Sequence, residues 1–463
     1  MNSRLRSPFV ALLAFSCCLL AIDRARAAVA PPHLDALIER SASASSDAAR
    51  STFYSDLIAT LSTDDRLSVD DRLHGAWAAW LLAANDAERS SLLALSATLP
   101  DARARMLIGA FRDYPSLRKQ WAEVDRTHSA LLLAGKDLPA DTPGKRRPPR
   151  EIFGLNPFDA PFSADQFHDP DGFVGRWTSD GVTVDLIAYP ANNYLGIVRT
   201  APTTPERRIL GLKQDAGLRL VGRAIQGRLL ADTLTLDIDG RSHRLQRTPV
   251  GYTYFARRPP GARVLLDAST GLRHFRHSNA DPGAWKVLAD GSIEIDPSKG
   301  SLFSRGTWSD HRLYLEFRHA YNSESVGPRR GNSGLYVFNS YELQLIDSFA
   351  RPPTKTSEGA VYQLAAPLVT ASAPPLEWQS LELVFRAPRF DADGNKTANA
   401  RLTAWLNGIM IHNDVEIPHP TGGSPAGGRE QRDAPGPQPF MLQNHGGLLQ
   451  FRHIWVAPEK NAR

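Results

Sequence analysis

The segment GNSGLYVFNSYELQLID, residues 331–347, combines a strand-like pattern with side chains that could bind a polar ligand. In its second half, alternating positions hold two sets of residues: Tyr341, Leu343 and Leu345, and Glu342, Gln344 and Ile346. Side chains alternate across a strand, so we expect the first set to face a core and the second to face away from it. This places a carboxylate beside a carboxamide, which fits either a solvated outer face or the floor of a binding cleft.

Polar side chains of the same kind occur at other strand-like segments. Gly331-Asn332-Ser333-Gly334 is a tight polar turn. The segment MLQNHGG has Gln443 and His445 at the same i, i+2 spacing, and the FRHIW segment that follows contains Arg452. Taken singly, each is typical of a surface or loop residue. Together they supply a carboxylate, an imidazole, a guanidinium and several amides, a set that suits sugar hydroxyls and proton transfer.

The elements that must position these residues lie between residues 262 and 458, where eight runs are strand candidates: LYLEFRHA, SGLYVF, YELQLID, LELVFRA, RLTAWL, IMIHND, PFMLQNHG and LLQFRHIWV. Asn407-Gly408 between two of these runs is a strong hairpin signal. About 200 residues of antiparallel strands with long loops predict a two-sheet jelly roll. One face of such a sheet is often concave and open to a ligand.

The chain before this region predicts two further units joined by a linker. Residues 32–138 have apolar residues at helical spacing, as in LHGAWAAWLLAAN, and are predicted to form a helical bundle. Ser68-Val69-Asp70-Asp71 fits a capping box before one helix. Proline density and charge mark residues 139–160 as an extended linker. Residues 161–258 are short alternating runs separated by glycine turns, which predict a small antiparallel β domain.

Residues 1–27 fit a secretory signal peptide. Arg4 and Arg6 precede an apolar run of 14 residues, Phe9 to Ile22, and Ala25-Arg26-Ala27 fits a small-x-small cleavage site. A membrane anchor is the alternative, but this run is shorter than the ~20 residues of a spanning helix. We therefore expect cleavage after Ala27, a periplasmic or secreted protein, and no transmembrane segment in the mature chain.

Cleavage there would change the composition in two ways. Both cysteines, Cys17 and Cys18, lie in the removed segment, so the mature chain would have no disulfide or thiol chemistry. Lys plus Arg would fall from 54 to 50 and Asp plus Glu from 49 to 48, reducing the net charge from +5 to +2. Nucleic acid is not an expected partner, because the sequence has no broad basic stripe with interleaved aromatic residues.

Five motifs in a fixed order resemble a known family. They are GNSGLYVFNSYELQLID, GAVYQLAAP at 359–367, EWQSLELVF at 377–385, WLNGIMIHND at 405–414 and LQNHGGLLQFRHIWV at 442–456. This pattern resembles the 3-keto-disaccharide hydrolase domain family, a concanavalin-like jelly-roll β-sandwich, over about 195 residues. The resemblance implies a multidomain, mainly β, exported hydrolase that cleaves 3-keto-glycosides or 3-keto-disaccharides.

The resemblance also implies roles for the polar residues. A 3-keto group acidifies the proton at C2, so a general base could start an elimination that water then completes. Glu342 or His445 is expected to be that base. The residues expected to bind sugar oxygens or the developing enolate are Asn332, Gln344, Gln443 and Arg452, and Tyr362 and Trp378 could stack on a sugar ring. Core packing is the alternative for the two aromatic residues.

The chain departs from the family pattern at Asn444, where relatives commonly have an aspartate before the histidine. If that aspartate orients the histidine or binds a metal in relatives, Asn444 would do so less well, because its amide carries no charge.

No cofactor is evident, and a divalent cation remains an alternative that ligand spacing does not support. FDADGNKTANARL, for example, begins like a calcium loop but has Leu402 where a bidentate glutamate is required.

Two other classes of function remain open at this point. Jelly rolls also bind sugars without chemistry, so a lectin-like carbohydrate-binding protein is the main alternative to the hydrolase. A scaffold that recruits a protein partner through residues 32–258 is a weaker alternative, and the sequence identifies no such partner.

Overall fold

The structure is a computed structural model that describes residues 32–64, 66–96, 167–201, 204–214, 217–253, 258–323, 330–421, 433 and 435–459. The predicted signal peptide, the predicted linker 139–160 and the last part of the predicted helical region lie outside these residues. The described part is mainly β, with helices on its N-terminal side, as predicted. None of its helices has the length and apolar character needed to cross a membrane.

Four helices begin the described chain: α1 Pro32–Ser43, α2 Asp47–Thr63, α3 Val69–Leu82 and α4 Asp86–Ser96. The predicted capping box before α3 is confirmed, because the Ser68 hydroxyl accepts from the Asp71 N–H and the Asp71 carboxylate accepts from the Ser68 N–H. The apolar faces of the helices pack together and also against Leu210, Leu212 and Val221, which belong to strands. The helices therefore share one hydrophobic core with the outer side of the next unit.

That next unit is a closed antiparallel barrel of eight strands: β1 Gly175–Ser179, β2 Val182–Tyr189, β3 Asn193–Arg199, β4 Arg207–Gln214, β5 Gly217–Gly222, β6 Ile225–Leu230, β7 Thr233–Ile238 and β8 Arg241–Thr248. Consecutive strands pair in order and β1 pairs with β8. Alternate residues such as Val184 and Leu186 fill the interior. The predicted glycine turns allow the short connections, since Gly181 and Gly240 have φ of +74° and +82°.

The remaining strands are β9 Arg263–Leu266, β10 Phe275–Arg276, β11 Lys286–Val287, β12 Ile293–Glu294, β13 Leu302–Ser304, β14 His311–His319, β15 Ser333–Val337, β16 Tyr341–Leu345, β17 Gln379–Arg386, β18 Arg389–Phe390, β19 Lys396–Ala398, β20 Ala400–Leu406, β21 Ile409–Ile417, β22 Met441–Leu442 and β23 Leu449–Pro458.

Two antiparallel sheets are built from most of these strands and enclose one core. The smaller sheet has five strands in the order β10-β13-β22-β15-β16, and the larger has the order β11-β12-β23-β14-β17-β20-β21, with β9 paired to β23. Leu313, Leu315 and Phe317 of the larger sheet pack with Leu335 and Leu343 of the smaller one. Because side chains alternate along each strand, the intervening residues point out of the sandwich.

The hairpin predicted at Asn407-Gly408 is confirmed between β20 and β21. Both residues have positive φ, +53° and +75°, as a two-residue type I′ turn requires. The buried Asn407 side chain does more than turn the chain. Its Oδ1 accepts from the N–H groups of Ser380 at 3.1 Å and Tyr252 at 3.2 Å, and its Nδ2 donates to the Ala371 carbonyl at 2.8 Å. It thereby ties two loops to the end of the sheet.

We expect Asn407→Ala to lower the free energy of unfolding by about 2–3 kcal/mol, because buried backbone groups lose their partners. Urea unfolding followed by tryptophan fluorescence measures this. Asn413→Ala is the matched control, since Asn413 is exposed on the same strand β21, and its effect should stay within about 0.5 kcal/mol. Equal losses in the two variants would show that the Asn407 side chain does not stabilise the turn.

Candidate active site

The hairpin β15–β16 carries the central residues of the candidate site. Its register pairs Tyr336 with Glu342 and Gly334 with Gln344. Leu343 and Leu345 face the core, as predicted, so Glu342 and Gln344 lie on the outer face of the five-stranded sheet. Both are nevertheless buried, with 4% and 3% of their surface exposed. A solvated outer face is therefore excluded.

The Glu342 carboxyl group is held in a partly apolar environment. The Tyr336 hydroxyl donates to its Oε2 at 2.8 Å. Burial raises the pKa of Glu342 to about 7, although the hydrogen bond from Tyr336 opposes that rise. A carboxyl group with this pKa exchanges a proton near neutral pH, which is what a general acid or base must do.

Gly334 makes room for this carboxyl group. A Cβ atom at position 334 would lie 2.6 Å from Oε1 of Glu342 and 3.1 Å from Oε1 of Gln443. Any larger residue would therefore displace both side chains. The amide oxygen of Gln443 is buried and accepts no hydrogen bond from the described residues, while its Nε2 lies 3.5 Å from the Tyr336 hydroxyl. It is an acceptor suited to a sugar hydroxyl.

A line of amides connects Glu342 to His445. With its nitrogen turned toward Glu342, the Gln344 amide donates to Oε1 at 3.1 Å. In the other orientation of the amide, Nε2 of Gln344 instead donates to Oδ1 of Asn332 at 3.1 Å, and Nδ2 of Asn332 lies 2.6 Å from Nδ1 of His445. His445 is exposed at the rim, yet partial desolvation lowers the pKa of its imidazole. Four of the predicted residues thus form one connected group.

Tyr362 also lies at this group. Its backbone N–H donates to the Glu342 carbonyl at 3.0 Å, and its ring is half-buried.

The phenol of Tyr336 was not singled out from the sequence. The hairpin pattern could have predicted it. A turn at Phe338-Asn339-Ser340 places Tyr336 directly opposite Glu342 in the antiparallel pair.

The structure does not bring Arg452 and Trp378 to this group. Arg452 lies on β23, and its Nε donates to Oε2 of Glu316 at 2.7 Å. Both side chains lie on the outer face of the larger sheet. Its guanidinium stacks on the Trp378 ring at 4.1 Å. The core separates these two residues from Glu342, so neither belongs to the candidate site.

Asn444 has a structural role in the loop before His445. Its Nδ2 donates to the carbonyl oxygens of Asp296 at 3.0 Å and Lys299 at 2.6 Å, and its N–H donates to the Ser301 hydroxyl at 3.0 Å. The residue that contacts the His445 ring is Asn332 instead. The departure at position 444 therefore does not remove the described partner of the histidine.

No group of three or more His, Cys, Asp or Glu side chains in the described ranges could hold a metal ion. The calcium-like segment forms the short hairpin β18–β19, in which the Asp391 carboxylate accepts from the N–H groups of Asp393 and Asn395 at 3.0 and 2.8 Å. Its carboxylate is used to close the turn.

We expect Tyr336→Phe to raise the titration midpoint of the Glu342 carboxyl above about 7, since the phenol stabilises the charged form. ¹³C NMR of glutamate-labelled protein measures the midpoint, with Glu342→Gln identifying the signal. Tyr362→Phe is the control, because Tyr362 reaches Glu342 through its backbone and should leave the midpoint in place. A midpoint near 4.5 in the unmodified protein would contradict the desolvation argument.

Comparison with known proteins agrees with the resemblance drawn from the motifs. Residues 261–457 match the family model described as "3-keto-alpha-glucoside-1,2-lyase-like domain". No curated protein matches the chain.

Among solved structures, the chain is similar to a "putative glycosyl hydrolase" from Parabacteroides distasonis, with 27% identity, a TM-score of 0.40, and coverage of 43% of this chain and 85% of that one. A second structure so described, from the same organism, has 16% identity, a TM-score of 0.32, and coverage of 43% and 94%. The family-model match identifies residues 261–457 as a 3-keto-disaccharide hydrolase-type domain, as the five ordered motifs predicted.

Proposed function

We propose that this protein cleaves the glycosidic bond of 3-keto-glycosides, including 3-keto-disaccharides, with Glu342 as the general base. The observation that carries the proposal is the buried Glu342 carboxyl, whose pKa is raised to about 7 beside Tyr336, Gln344 and Gln443. The match of residues 261–457 to a carbohydrate-cleaving family supports the choice of substrate.

The reaction proceeds in two stages. Glu342 removes the proton at C2, which the neighbouring C3 ketone acidifies, and an enolate forms. The electron pair then makes a C1–C2 double bond while the C1–oxygen bond breaks and the leaving oxygen takes up a proton. Water adds to C1 and a proton returns to C2. The net change is hydrolysis of the glycosidic bond.

The partners of Glu342 favour this route over a mechanism with two flanking carboxylates. Within the described residues, the side chains that contact its carboxyl group are a phenol and amides. The elimination route needs a single base, whereas a conventional glycosidase uses two carboxylates that flank the bond. Donors such as Tyr336 and the Gln344 amide can stabilise negative charge that develops on the sugar.

Glu342 is a better base than His445 on two grounds. Its carboxyl group is buried, so the charged form is destabilised and basic, whereas the His445 ring lies at the exposed rim with Nδ1 beside Asn332. Partial desolvation lowers the pKa of His445, which makes its imidazole a weaker base than an unperturbed histidine. We assign His445, Asn332, Gln443 and Tyr362 to substrate binding.

The test is release of a chromogenic aglycone from a 3-keto-glucoside by the purified protein. Glu342→Gln should reduce kcat by about 10²–10⁴-fold, because it removes the base but keeps the shape of the side chain. Glu416→Gln is the control, since Glu416 is exposed on β21 and contacts Arg401. Its kcat should equal that of the unmodified protein.

The pH dependence provides a second check on the same residue. The base must be ionised, so kcat should rise with pH through about 7 and level off above it. A profile that is flat across this range, or full activity in Glu342→Gln, would remove Glu342 from the mechanism. Sugar binding without any aglycone release would favour the lectin-like alternative. Parallel assays with EDTA test whether aglycone release requires a divalent cation.

Two further points belong to this proposal. We infer that the two-sheet sandwich is a concanavalin-like jelly roll, which the single core between its sheets supports. We also infer export to the periplasm or the medium from residues 1–27. N-terminal sequencing of the protein from the periplasmic fraction should begin at Ala28, and a chain that retains Met1 would contradict export by cleavage.

A further inference from the structure

The hairpin β15–β16 is held at its open end by a buried ion pair. Nε of Arg330 donates to Oδ2 of Asp347 at 2.5 Å, and the Asp347 N–H donates to the Arg330 carbonyl at 3.1 Å. Arg330 and Asp347 are only 1% and 3% exposed. They flank the hairpin that carries Tyr336 and Glu342, so their geometry sets where its two strands begin and end.

The same arginine reaches the barrel. Its Nη1 donates to the carbonyl oxygen of Ala188, on β2, at 2.6 Å. One planar guanidinium thus bridges a carboxylate of the sandwich and a backbone carbonyl of the barrel. Lysine could satisfy one of these acceptors but not both in this fork geometry.

A second buried pair lies near Asp347. His319 Nε2 lies 2.6 Å from Oε2 of Glu358, and both side chains are buried. A Cβ atom at Gly331, which has φ of +68°, would lie 2.8 Å from Nδ1 of His319. The Gly359 N–H donates to the Gln344 carbonyl at 2.8 Å. The pair therefore borders both Gly331, which precedes Asn332, and the strand of Gln344.

The buried ion pair of Arg330 and Asp347 is a poor choice for stability alone. Burying an ion pair costs desolvation energy that the attraction often does not recover. Arg330 Nη2, His319 Nδ1 and Glu358 Oε1 are also buried without a hydrogen-bond partner among the described residues. Apolar side chains could fill the same space. A positional role explains why charged groups with directional bonds are used at this end of the hairpin.

We propose that Arg330 is a positioning residue for the reaction, and that the barrel, through the Ala188 carbonyl, is part of the framework that orients the Glu342 hairpin. This inference rests on the proposed function. It gives the barrel a role at the site although no barrel residue is assigned to substrate. Loss of the bridge would let Asn332 and Gln344 shift relative to His445 and Glu342.

The experiment compares Arg330→Met and Arg330→Lys in the full chain. We expect kcat to fall about tenfold to a hundredfold in Arg330→Met, since a displacement of about 1 Å at the reacting groups has that effect, and KM to rise because Asn332 binds substrate. Arg330→Lys keeps a charge for Asp347 and should fold while losing part of the rate. Circular dichroism confirms that each variant is folded.

Glu377→Gln is the matched control. Its carboxylate accepts from the N–H groups of Val250 and Gly251 at 2.7 and 2.8 Å, so it also joins the chain just after the barrel to the sandwich, beside Trp378 and away from Glu342. This variant should keep kcat even where its Tm falls. A loss of kcat in Glu377→Gln equal to that in Arg330→Met would reduce the effect to general destabilisation and overturn the proposal.

An NMR titration of the His445 imidazole gives a readout that needs no substrate. Both Arg330 variants should displace the midpoint, because Asn332 contacts Nδ1 of His445, and Glu377→Gln should not. If the unmodified protein cleaves no 3-keto-glycoside but the midpoint still moves, the proposed function fails and the positioning role stands. If folded Arg330→Lys and Arg330→Met keep both kcat and the midpoint, the positioning role is wrong.

Discussion

The hydrophobic core between the two sheets decides which side chains of the hairpin are free for chemistry. Leu335, Leu343 and Leu345 must enter that core, and the alternation of a strand then leaves Tyr336, Glu342 and Gln344 on the opposite face. A shift of one residue in the pairing would exchange the two sets, burying the acid in the core and exposing three leucines. The polar group at the outer face is thus specified by apolar packing.

The outer face is itself withdrawn from water, and this second burial gives Glu342 its chemical character. An exposed glutamate would ionise fully at neutral pH and would be a weak base. Here desolvation keeps the two protonation states close in free energy, while the Tyr336 phenol and the neighbouring amides give the charged state hydrogen bonds. The same environment makes the ionised form costly for folding, so the folded chain loses stability as pH rises from about 4.5 through about 7.

Local patterns allowed much of this arrangement to be predicted, and contacts between distant segments account for the remainder. The alternation in YELQLID, the Asn407-Gly408 turn and the Ser68 cap are all encoded within a few residues. The placement of Arg452 could not be obtained this way, since it depends on which of two sheets its strand joins and which side that strand turns to the core. Two other features also depend on segments far apart in the chain. The helices and the barrel share one core, and Arg330 bridges to the Ala188 carbonyl.

Asn444 changes how a family consensus should be applied to this chain. Its amide nitrogen satisfies two carbonyl oxygens of the 296–299 loop. An aspartate placed there, as the family resemblance suggests, would set a carboxylate oxygen against those two acceptors without a donor between them. The asparagine and the loop are therefore a matched pair. Consensus engineering that alters one without the other would loosen the segment that presents His445.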